Sequence, residues 1–178
     1  MVEESYYDTN LQPSNCTDGY HKAKYEYDER GNRIRGRFYD VNGSSMNCSR
    51  GFAAWSRDYD GRNNQVSRQF YDTANNPCTI LFGYSKVESL FNERYQEIET
   101  RYYVDDKLTN NLSGYAVVKY ECNERGYDSV RSFFGPDGSP AKDEQGVSVW
   151  KQTYNATGGI EQWEAYDTNG KLLASGKY

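Results

Sequence analysis

Groups able to perform acid–base, nucleophilic or metal chemistry are thinly spread. The chain has one histidine, His21, and four cysteines, Cys16, Cys48, Cys78 and Cys122, among 26 Asp and Glu residues. A catalytic base needs a nucleophile and an orienting group nearby. Neither recurs around His21, so it reads as a surface or edge side chain. Asp28, Asp60, Asn92, Asn123 and Asn155 share one position and could suggest a calcium ladder. Each such turn offers only one or two carboxylates, whereas calcium takes about six to eight oxygens, so turn capping is the better reading. No CxxC pair suggests zinc. Two carboxylates at the right separation would suffice for a glycosidase, but nothing singles out such a pair. The expectation is a non-catalytic chain with no metal or cofactor.

Aromatic surface, by contrast, is abundant, with 18 Tyr, 7 Phe and 3 Trp. Five of these residues, Tyr39, Tyr71, Tyr103, Phe134 and Tyr166, recur at spacings of 32, 32, 31 and 32. Such a row, on one face of a sheet, can stack against sugar rings or receive a protein partner, because each ring offers a large contact area. These five are the candidate binding residues. The competing reading is a second small core, packed on tails or on neighbouring repeats.

The same spacing runs through the whole chain. Gly19, Gly51, Gly83, Gly114 and Gly146 are separated by 32, 32, 31 and 32 residues. Residues 19–50 and 114–145 are identical at 11 of 32 positions, among them Gly19, Tyr20, Lys24, Tyr25, Glu26, Glu29, Arg30 and Gly31. This divides the chain into a half unit, 1–18, and units 19–50, 51–82, 83–113, 114–145 and 146–178, forming a single array. Within a unit the apolar period is 2: Ala23, Tyr25 and Tyr27 alternate with Lys22, Lys24 and Glu26, as in a strand with one wet face. Asp28-Glu29-Arg30-Gly31 follows as a tight turn. A second strand then runs from Ile34 through Phe38 to Tyr39, giving a hairpin with a tail of about ten residues. The columns headed by Ala23, Tyr27 and Phe38 are expected to share one buried face. Tyr95 replaces the turn glycine in the third unit, and distortion is expected there.

Composition excludes several classes. Mean hydropathy is −1.02, and no stretch approaches the ~20 apolar residues of a membrane span. The aromatic content argues against disorder. A net charge of −5 lacks the basic footprint of a nucleic-acid binder. The N-terminus has no basic start or apolar segment that would read as a secretory signal. This leaves a cytoplasmic chain or a piece of a larger surface protein as alternatives.

The expected fold is all-β: tandem ~32-residue hairpins making an extended, twisted or spiralling antiparallel sheet, since neighbours stabilise what a lone hairpin cannot. Side-by-side hairpins would hold Cys16 and Cys48 beyond the ~6.8 Å Cα separation of a disulfide, so free thiols are expected. Tyr27-Asp28-Glu29-Arg30-Gly31-Asn32 resembles the Tyr-Asp repeats of bacterial Rhs and teneurin-like proteins. Phe38-Tyr39-Asp40-Val41-Asn42-Gly43 and Tyr166-Asp167-Thr168-Asn169-Gly170 are similar to cell-wall and glucan-binding repeats of Gram-positive surface proteins. The resemblance implies a non-catalytic module, at the cell surface or secreted, that binds glycan or cell-wall polymer. The alternative is a structural or protein-interaction array with no small ligand.

Overall fold

The computed structural model describes residues 1–178 and is all-β. Thirteen strands pair antiparallel in one open sheet whose order follows the chain, with the short strand Lys107–Leu108 set against Glu97–Val104. There is no helix, and so none long and apolar enough to cross a membrane. The chain divides into two compact parts, Met1–Val87 with Val104–Asp106, and Glu88–Tyr103 with Lys107–Tyr178.

The first part holds β1 (Val2–Ser5), β2 (Lys22–Tyr27), β3 (Arg33–Tyr39), β4 (Ala54–Tyr59) and β5 (Gln65–Tyr71). β6 (Lys86–Phe91) spans the division, and the second part continues with β7 (Glu97–Val104), β8 (Lys107–Leu108), β9 (Val117–Cys122) and β10 (Asp128–Phe134). It ends with β11 (Val149–Tyr154), β12 (Ile160–Tyr166) and β13 (Leu172–Lys177). Pairing between successive hairpins excludes a stacked-rung arrangement. Tyr25 lies opposite Gly36 within the first hairpin, Gly36 opposite Trp55 between hairpins, and Trp55 opposite Phe70 within the second.

The hairpin turns are built by a carboxylate or amide reaching forward. Asp28 Oδ1 accepts from the backbone N–H of Arg30 at 3.0 Å and of Asn32 at 2.8 Å, while Gly31 takes φ 84°. The Asp60 turn repeats these bonds with Asn63 at φ 67°. The turn expected to be distorted is not: Asn92 Oδ1 accepts from Arg94 and Gln96, and Tyr95 takes the same left-handed conformation at φ 64°. The capping amide and the Asn92–Gln96 backbone bond hold the turn, so Tyr95 adopts a strained φ, and its ring stands 60% exposed.

Each tail but the last, which passes through one turn into β13, is a pair of tight turns. After β3, Asp40 N donates to Ser44 O at 2.9 Å, and Cys48 N donates to Phe52 O at 2.8 Å. This return sets Phe52 between rings of the Phe38 column. The result in the first part is a ladder of rings, Tyr6–Tyr20 at 5.7 Å, Tyr20–Phe38 at 4.2 Å, Phe38–Phe52 at 5.7 Å, Phe52–Phe70 at 4.8 Å and Phe70–Tyr84 at 6.0 Å. The second part has its own ladder, Tyr102–Tyr115 at 5.9 Å and Tyr115–Phe133 at 4.5 Å. Each buried ring contributes roughly 1.5–3 kcal/mol from apolar area alone, with an increment for favourable ring geometry.

Three sequence expectations need correction or can be decided here. The Ala23 and Phe38 columns are mostly core: Ala23, Trp55, Val118, Phe38, Phe70, Phe133 and Ala165 are buried, and Val87, Trp150 and Tyr102 are half-buried. The Tyr27 column is not. Tyr27 is 38% exposed, and Tyr59, Phe91, Cys122 and Tyr154 are half-buried. These residues sit at the hairpin tips, and Tyr59 and Tyr154 use their hydroxyls to donate to Arg33 O at 3.1 Å and Asp128 O at 2.7 Å. His21 is not at the surface: it is 5% exposed, with Nδ1 3.2 Å from Ser14 O and the Tyr7 ring edge-on at 5.6 Å. The half-unit tail covers it, so its burial depends on how residues 6–16 fold back. The four cysteines are unpaired.

Candidate binding face

Burial of Phe38, Phe70 and Phe133 forces their neighbours Tyr39, Tyr71 and Phe134 to the other face of the sheet, because side chains alternate along a strand. Tyr103 and Tyr166 follow the same rule beside Tyr102 and the buried Ala165. All five rings of the row are half-buried. They belong neither to the ring ladder nor to open solvent.

Each ring is met by a side chain from the other strand of its own hairpin, one diagonal step away, within reach of long side chains. Lys24 Nζ stands 5.4 Å from the Tyr39 centroid. Ser56 Oγ lies 3.1 Å from the Tyr71 hydroxyl, and Tyr103 donates to Glu88 Oε2 at 2.8 Å. Lys119 Nζ is 5.3 Å from the Phe134 centroid and Lys151 Nζ 5.0 Å from that of Tyr166. Sequence reasoning found the rings but missed this companion column. The signal was present, since Lys24, Ser56, Glu88, Lys119 and Lys151 keep the same spacing as the rings.

In the first part, Tyr39 and Tyr71 border one groove of about 540 Å³, together with Lys24, Arg35, Arg37 and Ser56. Arg37 is fixed by two tails: Nη1 donates to Ser45 Oγ at 3.1 Å and Nη2 to Asn75 Oδ1 at 2.5 Å. Arg35 Nη1 is 3.7 Å from Glu26 Oε2. The groove therefore presents two aromatic rims with hydrogen-bond donors and acceptors between them. In the second part, Phe134 borders a groove of about 360 Å³ with Arg101, Lys119 and Glu99. Glu99, only 9% exposed, bonds Arg101 and lies 3.4 Å from Lys119 Nζ. That carboxylate holds the Arg101 guanidinium above its ordinary range. Tyr103 and Tyr166 border neither groove.

Two hydroxyls of the row, those of Tyr103 and Tyr166, are held above the ordinary tyrosine range. Burial, then the Glu88 carboxylate, pushes Tyr103 up, and the bond to Glu164 Oε2 at 2.6 Å pushes Tyr166 up. No three His, Cys, Asp or Glu side chains converge as they would around a metal ion. The chain matches no protein-family model and no curated protein.

Proposed function

We propose that the protein is a non-catalytic binding module, recognising glycan or cell-wall polymer through repeated aromatic sites on the face that carries Tyr39, Tyr71, Tyr103, Phe134 and Tyr166. The observation that carries this reading is the groove in which Tyr39 and Tyr71 face a common space with Lys24, Arg35, Arg37 and Ser56. Sugar rings present an apolar face and a rim of hydroxyls. A tyrosine ring accommodates the first, and side chains that both donate and accept accommodate the second. The grooves are shallow, which suits a polymer engaged at several weak sites whose effects combine through effective concentration. A place at the cell surface or in secretion is part of this proposal, as is the likeness to Tyr-Asp and glucan-binding repeats.

The second reading, a structural or protein-interaction array, draws on the companion column: a ring already covered by Lys24 or bonded to Glu88 is partly satisfied without a ligand. The two readings separate in a sedimentation assay of the full chain with insoluble cell-wall polysaccharide. Tyr39→Ala and Tyr71→Ala should each weaken retention a few-fold if the sites act in parallel. Unchanged retention in both, or no retention of the parent protein on any polysaccharide, favours the interaction array.

A further inference from the structure

On the opposite face, Arg57 of β4 and Arg68 of β5 occupy directly opposed positions in the antiparallel pair. Like charges so placed repel, and a second device is needed to hold them. Part of it is Trp55. The Arg57 guanidinium lies 4.1 Å from the indole centroid, and that of Arg68 lies 5.4 Å from the indole and 4.7 Å from the Phe70 ring. A cation over a ring face leaves its N–H donors, which lie in the guanidinium planes, without acceptors from the ring. Neither guanidinium has a carboxylate within ion-pair distance. Nε of Arg57 and Nε of Arg68 are both shut off from solvent with no hydrogen-bond partner.

The array supplies its own comparison. Arg131 occupies the position of Arg68 two repeats later, and there the facing residue is Tyr120 instead of an arginine. Arg131 Nη2 is held by Asp128 Oδ2 at 2.7 Å. The position of Asp128 is taken by Gln65 in the earlier hairpin. One hairpin thus neutralises its arginine internally, whereas the other doubles the positive charge and lacks the acid. Burial, and then the Arg57 charge, lowers Arg68 to about 10. Arg50, whose nearest carboxylate is Asp18 at 3.9 Å, adds to the same positive field. In a chain of net charge −5 this concentration is local.

We infer that Arg57 and Arg68 form an oxyanion-binding site, taking a carboxylate, sulfate or phosphate group between their guanidinium edges above Trp55. Paired guanidinium forks match the geometry of such groups, and charge-assisted bonds of this kind are about twice as strong as neutral ones. The site lies on the face away from Tyr39 and does not rest on the glycan reading. The oxyanion comes either free from solution or carried on an acidic polymer, and the two sources are separable.

The test titrates the full chain with inorganic sulfate at constant ionic strength, and separately with dextran sulfate against neutral dextran, following heat of binding and the thermal midpoint. Saturable binding to the parent protein is expected, weakened roughly ten-fold or more in Arg57→Gln. Arg57→Lys, which keeps the charge but loses the fork, should fall between. Arg131→Gln should bind as the parent does. Arg57→Gln loses the contact with Trp55 as well as the like-charge contact, so its ligand-free thermal midpoint and far-UV spectrum are read beside the parent's, and a loss of binding in a variant with the parent's spectrum and midpoint is a loss of the site. Sulfate binding that depends on Arg57 identifies a free-ion site. Dependence on Arg57 with dextran sulfate alone identifies a polymer-borne group. Equal responses of parent and Arg57→Gln to both ligands, or no saturable response of the parent, overturn the assignment.

Discussion

Gly36 is empty because Trp55 fills its place. The two residues are directly opposed between β3 and β4, and a Cβ at Gly36 would stand 2.5 Å from Cε2 of the indole. The pairing recurs at the far end of the sheet, where Gly176 lies opposite Trp163 and a Cβ would stand 2.6 Å from the indole Nε1. A glycine inside a strand ordinarily weakens it; here an indole from the neighbouring strand covers the exposed backbone.

Gly36→Ala should therefore destabilise by about 1–3 kcal/mol, as overpacking does, although alanine is normally the better strand residue. Trp55→Ala should cost about 3–5 kcal/mol. Urea unfolding followed by far-UV circular dichroism measures both. A neutral or stabilising Gly36→Ala would mean that the indole does not lie across that glycine.

The ring ladder and the hairpin tips should respond differently to truncation. Phe38→Ala and Phe70→Ala remove buried rings and should each cost about 3–5 kcal/mol. Tyr27→Ala, at an exposed tip, should cost less than about 1.5 kcal/mol, and Lys24→Ala about 0.5 kcal/mol or less. Equal losses at Phe38 and Tyr27 in the same urea series would contradict the assignment of faces.

Acid should weaken the turns before it touches the core. The bond from Asn32 lowers Asp28, and the bond from Asn64 lowers Asp60, each helped by backbone N–H groups. Backbone N–H groups, those of Asn76 and Lys171 first, lower Asp72 and Asp167. A carboxyl whose folded pKa lies below its unfolded value adds stability above the unfolded pKa, near 4 for aspartate, and that contribution disappears as pH falls through the folded value. The thermal midpoint should hold steady from pH 7 to about 5 and decline below about 4. In Asp28→Asn/Asp60→Asn the amide oxygen still accepts the backbone N–H bonds of the turn, the side-chain bonds from Asn32 and Asn64 are lost, and nothing titrates, so stability at pH 7 should be lower and the decline with acid shallower. An identical decline in parent and double variant would assign the acid sensitivity elsewhere.

Strands and turns were legible because their causes are local. Alternation of Ala23, Tyr25 and Tyr27 with Lys22, Lys24 and Glu26 fixes which side chains share a face, and Asp28 with Gly31 fixes where the chain reverses. Depth was less legible. Tyr27 and Tyr25 share a face, yet only Tyr25 is buried, because the folded tails reach the middle of the hairpin and leave its tip uncovered. His21 is buried for the converse reason, beneath a tail whose path no strand pattern encodes. Tyr95 misled because the turn is held by the Asn92 cap, which tolerates a strained residue where glycine is usual. Of the candidate site, the row of rings could be read from spacing alone. The groove between Tyr39 and Tyr71 could not, since it depends on the register that sets Arg37 beside both tails.

Simultaneous replacement of Tyr39, Tyr71 and Tyr166 by alanine, with retention on insoluble cell-wall polysaccharide measured beside the thermal midpoint, tests the binding account most directly. The account predicts a folded triple variant with its far-UV spectrum intact and retention abolished, because avidity collapses when several weak sites are lost together. A triple variant that unfolds would make the row a second core. One that stays folded and is retained as well as the parent would contradict the assignment of this face as the binding site.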